Sequence, residues 1–190
     1  MNTGNKYPSR SNPRLRKYNY NAPGAYFVTV CTGNRECVFG NANAEGMHLN
    51  GLGEIILSVW NGLAAHYPSA NFDSFVIMPN HVHGIIILQD QSHSLSDIVR
   101  SFKGFSSRRR NEFIPASVSP LWQRNYYEHV IRNDDDLRQT REYIQNNPLK
   151  WELDREHPGN QKRADFKSAP TRESGTSCKN GGRGGSQIRP

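Results

Sequence analysis

The sequence predicts an α+β fold, a ferredoxin-like antiparallel sheet with helices packed on it, and three observations point there. Segments of strand and helix character follow the order strand, helix, strand, strand, helix, strand, helix. The second and third strands, at 72–78 and 81–88, are joined by Pro79 and Asn80 alone, whereas a parallel crossover needs about a dozen residues. A chain of 190 residues is also long enough to bury one core without disulfides.

Residues 1–22 are rich in Asn, Pro, Arg and Tyr without an apolar period, and read as an arm. "AYFVTVCT", residues 25–32, is β-branched and aromatic behind a Pro23-Gly24 turn, which makes it the first strand. In "GEIILSVWNGLAAH", residues 53–66, Ile56, Trp60, Leu63 and Ala64 recur at helical spacing, and Tyr67-Pro68 ends the helix. After the strand pair, "SLSDIVRSFKGFSSRRRNEF" sets Leu95, Ile98, Val99, Phe102 and Phe105 on one stripe behind a cap at Ser94 or Ser96. Beyond Pro120, "LWQRNYYEHVI" reads as a strand. Asp134 to Asp136 then cap a last helix that runs to about Asn147, their charge complementing its dipole. One domain over 23–153 is thus expected between the arm and a Gly-, Ser-, Arg- and Lys-rich tail, 154–190, whose low apolar content predicts disorder.

The net charge is +7, and its distribution matters more than its size. Residues 1–20 hold five basic residues, Arg14, Arg16 and Lys17 among them, and no acid. Residues 154–190 hold eight basic and four acidic residues, and the stretch between is slightly acidic. Basic ends on a near-neutral core suit a polyanionic partner. The long helix adds Arg100, Lys103, Arg108, Arg109 and Arg110 outside its apolar stripe, either a nucleic-acid-facing surface or a solvated one. Cys31, Cys37 and Cys178 are an odd number without metal-type spacing, which fits a reducing cytoplasm, and no apolar run is long enough for a membrane span or a signal peptide.

Residues 79–85 read "PNHVHGI" at the junction of two strands. Positions i and i+2 of a strand share a face, so His81 and His83 project side by side while Val82 turns into the opposite face. Two imidazoles aimed at one point suit a metal, provided that other ligands exist. The last helix contains "REYIQNNP", in which Tyr143 and Asn147 lie four apart and share a face. A phenol able to attack phosphorus and a carboxamide oxygen able to ligate a hard cation then look the same way. Tyr126 and Tyr127 compete for the nucleophile's role, but strand alternation sends one inward and one outward, and neither has an i+4 amide partner. His129 is either a support to the site or a surface residue.

"MPNHVHGIIIL", "LWQRNYYEHVIRN" and "REYIQNNPLKWELD", in that order, together with the opening "PGAYFVTVCTGNRECVFG", resemble the REP-associated tyrosine transposases, relatives of the single-tyrosine HUH transposases. The likeness covers roughly residues 12–153. It implies the HUH endonuclease fold and metal-dependent cleavage and strand transfer on single-stranded DNA with hairpin-forming palindromic repeats. His81 and His83 would then bind Mg²⁺ or Mn²⁺ and assist catalysis, with Asn147 as a further ligand. Tyr143 would form a 5′-phosphotyrosine and leave a free 3′-hydroxyl. DNA contacts are expected from Arg14, Arg16, Lys17, Arg100, Lys103, Arg108, Arg109 and Arg124, in a monomer or homodimer associated with a bacterial nucleoid and without a membrane. Two other readings remain: a metal hydrolase built on H-x-H, although "GIIIL" after His83 offers no ligand, and a non-catalytic single-stranded nucleic-acid-binding domain with a decayed site.

Overall fold

The computed structural model describes residues 19–114, 119–154 and 156–160. The elements in order are β1 (Gly24–Cys31), β2 (Gly40–Asn43), β3 (Gly46–Leu49), α1 (Gly51–His66), β4 (Ala70–Met78), β5 (His81–Leu88), α2 (Leu95–Phe113), β6 (Tyr127–Ile131), α3 (Asp134–Asn146) and a 3₁₀ segment (Pro148–Leu153). Four strands form one sheet in the order β4-β5-β1-β6, every neighbouring pair antiparallel. β5 lies between β1 and β4, which α1 connects, and β1 lies between β5 and β6, which α2 connects. That is the ferredoxin-like arrangement expected from the element order.

Alternation along the central strands splits the interior into two layers. Tyr26, Val28 and Val30 of β1 and Val82 and Ile86 of β5 point to one face, where α1 contributes Ile56, Trp60 and Leu63 and α2 contributes Leu95, Ile98 and Phe102. Phe27 and Ile85 point to the other face and meet Ile131 and Ile144, so α3 packs opposite the other two helices. Gly84 permits the first layer to close. A Cβ there would lie 2.5 Å from Trp60 Cη2, and without it the indole lies flat against the sheet, stacked on Phe75 at 4.1 Å. The glycine of "PNHVHGI" thus serves packing on the face away from the histidines.

Several elements differ from expectation for identifiable reasons. α1 starts at Gly51 because Asn50 caps it, accepting from Gly53 N at 3.0 Å; its buried face uses Val59, while Ala64 is exposed. α2 is capped by Ser94 in a reciprocal box with Asp97. The stripe of α2 continues through Ser106 and Arg110, so Arg110 is buried rather than part of the basic surface; its guanidinium bonds Ser119 O and Asn111 Oδ1. β6 covers only Tyr127–Ile131 of the expected strand. Trp122 makes one bridge to Thr32 and Gln123 N donates to Cys31 O at 2.9 Å, while Lys103 Nζ of α2 binds the carbonyls of Gln123 and Arg124 at 2.6 and 2.9 Å. The cap of α3 is Asn133, accepting from Asp136 N at 2.8 Å, and the three acids occupy the first turn. The β2–β3 hairpin was not expected, since its Gly- and Asn-rich strands lack a period-2 apolar pattern. Of the tail expected from residue 154, Asp154 and 156–160 are ordered against the domain, and 161–190 lie outside the described residues.

α3 buries a single residue fully, Ile144, so its position depends on other ties. The chief one is a two-pronged ion pair, Arg141 Nε to Asp73 Oδ1 at 2.9 Å and Nη2 to Oδ2 at 2.7 Å, at the irregularity of β4 between Phe72 and Phe75. Hydrogen bonding by Arg141 holds the Asp73 carboxyl down at about 2. A depressed carboxylate contributes fully above its unfolded value near 4 and is lost only as pH falls through the folded value. Hydrogen-exchange protection of α3 is therefore expected to hold from neutral pH down to about pH 4, and Asp73→Asn is expected to reduce it several-fold across that range; equal protection in the variant would show that the pair does not anchor the helix.

Candidate metal and nucleophile site

On β5, His81 and His83 share the α3 face with their cross-strand neighbours Cys31 and Thr29 of β1. Both imidazoles are buried, His81 completely. Burial pushes the His81 ring down to about 3, with the Arg35 charge adding to it, and burial likewise holds His83 well below the usual range, so both rings are neutral at physiological pH. Neutral imidazole is the form that binds a metal.

The surrounding hydrogen bonds fix which nitrogen is available. The Asn80 amide nitrogen donates to Arg35 O at 3.1 Å and to Glu156 O at 2.8 Å, so Asn80 Oδ1 must face His81 Nδ1, 2.8 Å away. A carboxamide oxygen only accepts; His81 Nδ1 therefore carries the proton and Nε2 presents a lone pair. His81 Nε2 lies 2.9 Å from His83 Nε2. His83 Nδ1 meets Thr29 Oγ1 at 2.8 Å, and a hydroxyl, able to donate or accept, serves either tautomer of that ring. The clamp on His81 rests on a strained turn, for Arg35 has a φ of 58° while its guanidinium pairs with Glu156.

α3 brings the other expected residues to this point. The Tyr143 hydroxyl is 3.4 Å from His83 Nε2, and its ring stands edge-on to Phe27 and His83. Half of the residue is exposed, so the phenol is reachable from solvent. Burial, and next the Asp154 charge, push the phenol up to about 12, while the Asn147 amide pulls the other way. Asn147 is buried at the end of α3, and its Oδ1 has no hydrogen-bond partner among the described residues. A buried carboxamide oxygen left unpaired is costly, and a ligand in the site removes that cost.

Sequence reasoning missed a fifth contributor. After Pro148 the chain folds back over the site, Trp151 lies 6.0 Å from the His81 ring, and buried Asp154 has a carboxylate oxygen within 4.8 Å of ligand nitrogens of both histidines. "WELD" stood in view, but nothing local marks the segment as a return, and Asp154 fell at the start of the expected tail. Two imidazole nitrogens, a carboxylate and an unpartnered amide oxygen fit a hard divalent ion of the Mg²⁺ or Mn²⁺ type. Cys31 is not suited to join them, since burial, then Glu156, push its thiol up to about 12 and its sulfur bonds that carboxylate.

Of the expected DNA-contacting residues, those on α2 lie elsewhere. Arg100, Lys103, Arg108 and Arg109 sit on α2, across the sheet from the histidines; Arg100 pairs with Asp97, and Arg108 and Arg109 line a groove of about 230 Å³ with Phe105 and His66. The ammonium of Lys103 is committed to the two carbonyls before β6. Arg124 is exposed in that connecting segment, whereas Arg14, Arg16 and Lys17 lie outside the described residues. His129 is a surface residue paired with Asp136 at 3.1 Å. Tyr126 and Tyr127 point to opposite faces as alternation requires, Tyr126 packing on the α1–α2 layer.

The family described as IS200-like transposase matches residues 26–147. An uncharacterized protein of Haemophilus influenzae is 40% identical over 167 residues, 76% of this chain and 91% of that protein. A REP-associated tyrosine transposase of Escherichia coli is 32% identical over 79 residues, 41% of this chain and 44% of its own length. Among solved structures, a REP-associated tyrosine transposase bound to a REP hairpin superposes with a TM-score of 0.57 at 23% identity, covering 73% of each chain, a likeness of fold.

The hydrogen-bond logic gives a direct test. Asn80→Ala is expected to lower Mn²⁺ affinity by about 10- to 100-fold, and nitrogen-15 NMR of the metal-free protein should register a shift of His81 away from the Nδ1-protonated tautomer. An unchanged tautomer in the variant would remove Asn80 from this role.

Proposed function

This chain belongs to the IS200-like transposase family, and on that premise we propose that it cleaves and rejoins single-stranded DNA through Tyr143, acting beside hairpin-forming palindromic repeats. The carrying observation is the convergence of the Tyr143 phenol, 3.4 Å from His83 Nε2, with a paired set of buried imidazoles and Asp154; the buried Asn147 oxygen at the end of the same helix, without a hydrogen-bond partner among the described residues, adds a candidate ligand. The substrate class follows the relatives named for REP elements and the hairpin carried by the solved structure of similar fold. A half-exposed phenol set against two buried, neutral imidazoles favours catalysis over a binding-only domain.

In the forward step the Tyr143 oxygen attacks the scissile phosphorus, a tyrosine O–P bond forms, and the bond from phosphorus to the 3′-oxygen breaks. The products are a 5′-phosphotyrosine and a 3′-hydroxyl. The phenolic proton leaves toward the Asp154 carboxylate, whose charge acts on that hydroxyl, and the departing 3′-oxygen takes up a proton from solvent. Rejoining is the reverse, with a 3′-hydroxyl of another strand attacking the phosphotyrosine and Tyr143 recovering its proton. Phe27 and His83 hold the phenol ring edge-on, and the Arg141–Asp73 pair holds its helix. A divalent cation held by His81, His83, Asp154 and Asn147 would supply polarisation of the phosphate oxygens.

With a hairpin-bearing single-stranded oligonucleotide and Mn²⁺, Tyr143→Phe is expected to abolish both cleavage and the covalent adduct while DNA affinity stays within about two-fold, because the nucleophile alone is removed. Cleavage by that variant, or an adduct mapped to Tyr126 or Tyr127, overturns the assignment. His81→Ala is expected to reduce cleavage at least about 100-fold with DNA binding largely retained, since affinity comes mainly from basic side chains that contact phosphates; cleavage at the wild-type rate would make the histidines structural.

A further inference from the structure

We infer that Tyr127 is the stacking platform for an unpaired nucleobase beside the scissile phosphate, an inference that rests on reading the site as one acting on single-stranded DNA. Its position follows from register. Across the sheet Tyr127 pairs with Thr29, Thr29 pairs with His83, and residues directly opposite one another project to the same face. The Tyr127 side chain therefore rises from the histidine face, two strand spacings from His83, about 10 Å. At that separation it is beyond the reach of the phosphorus that Tyr143 addresses, and within the span of a neighbouring nucleotide.

Its surroundings leave the ring available. The other outward positions of β6 are committed, His129 to Asp136 and Ile131 to the layer under α3. Tyr127 is 48% exposed, and among the described residues it makes no ring contact and its hydroxyl has no hydrogen-bond partner. Tyr126 beside it does the opposite, packing inward with its hydroxyl 3.3 Å from Ser96 Oγ. β6 is also an edge strand, so among the described residues no further strand walls off this end of the face. The segment leading into it is pinned by Lys103 through the carbonyls of Gln123 and Arg124. A half-exposed aromatic ring on the same face as the nucleophile has the chemistry that holds a base of any identity by its π-face.

The test is metal-free binding by fluorescence anisotropy, using a hairpin with single-stranded flanks and a set of the same oligonucleotides carrying one abasic residue at successive flank positions. Tyr127→Ala is expected to weaken binding by about 10- to 100-fold, Tyr127→Phe and Tyr127→Trp are expected to bind like wild type, and one abasic position should erase the difference between wild type and the alanine variant. Affinity unchanged in Tyr127→Ala on every oligonucleotide overturns the inference, as does a loss in Tyr127→Phe equal to that in Tyr127→Ala, or a loss equally large on the flankless hairpin. Wild-type protein that binds no single-stranded flank defeats the wider reading together with this one; wild-type binding with an unaffected alanine variant defeats this one alone.

Discussion

The placement of every functional group depends on β5 being packed on both sides. Its even-numbered residues, Val82, Gly84 and Ile86, meet the α1–α2 layer, and its odd-numbered residues, His81, His83 and Ile85, meet the α3 side. A slip of one residue would drive both imidazoles into apolar packing and turn Val82 toward the phenol. Trp60 guards against that slip, because only glycine at position 84 leaves room for its indole. Packing on the face away from the site thus holds the histidines where they are.

On the site face the governing terms are electrostatic. Two buried imidazoles, an aspartate and an unpaired amide oxygen are expensive to gather unless something binds among them. Asn80 removes ambiguity from one ring, Thr29 tolerates either state of the other, and neither contributes a ligand itself. The same segment that closes the site after α3 also supplies Asp154 and the Glu156 carbonyl that orients Asn80, so a candidate ligand and an orienting group arrive on one stretch of chain.

Much of this was legible in the sequence because two simple periods carried it. The i, i+2 rule placed His81 with His83, and the i, i+4 rule placed Tyr143 with Asn147. What was hidden depends on contacts between segments far apart in the chain. Asn80 stands inside the quoted motif, yet its role comes from carbonyls of Arg35 and Glu156. Asp154 follows a proline and an irregular 3₁₀ segment, where no period announces the return of the chain. Arg110 was misplaced because a run of three arginines reads as surface, although the helical stripe passes through Ser106 to it. Tyr127 needed the pairing of β6 with β1 before its face could be known.

If the proposed chemistry holds, the histidine face gathers a cation site directly against the Tyr143 phenol. An anomalous difference map from crystals grown with saturating Mn²⁺ tests it most directly. One strong peak is expected, contacting His81 Nε2 and His83 Nε2, with Asp154 and Asn147 Oδ1 among its oxygen ligands. A map with no peak there, and the two Nε2 atoms still in direct contact, would contradict it.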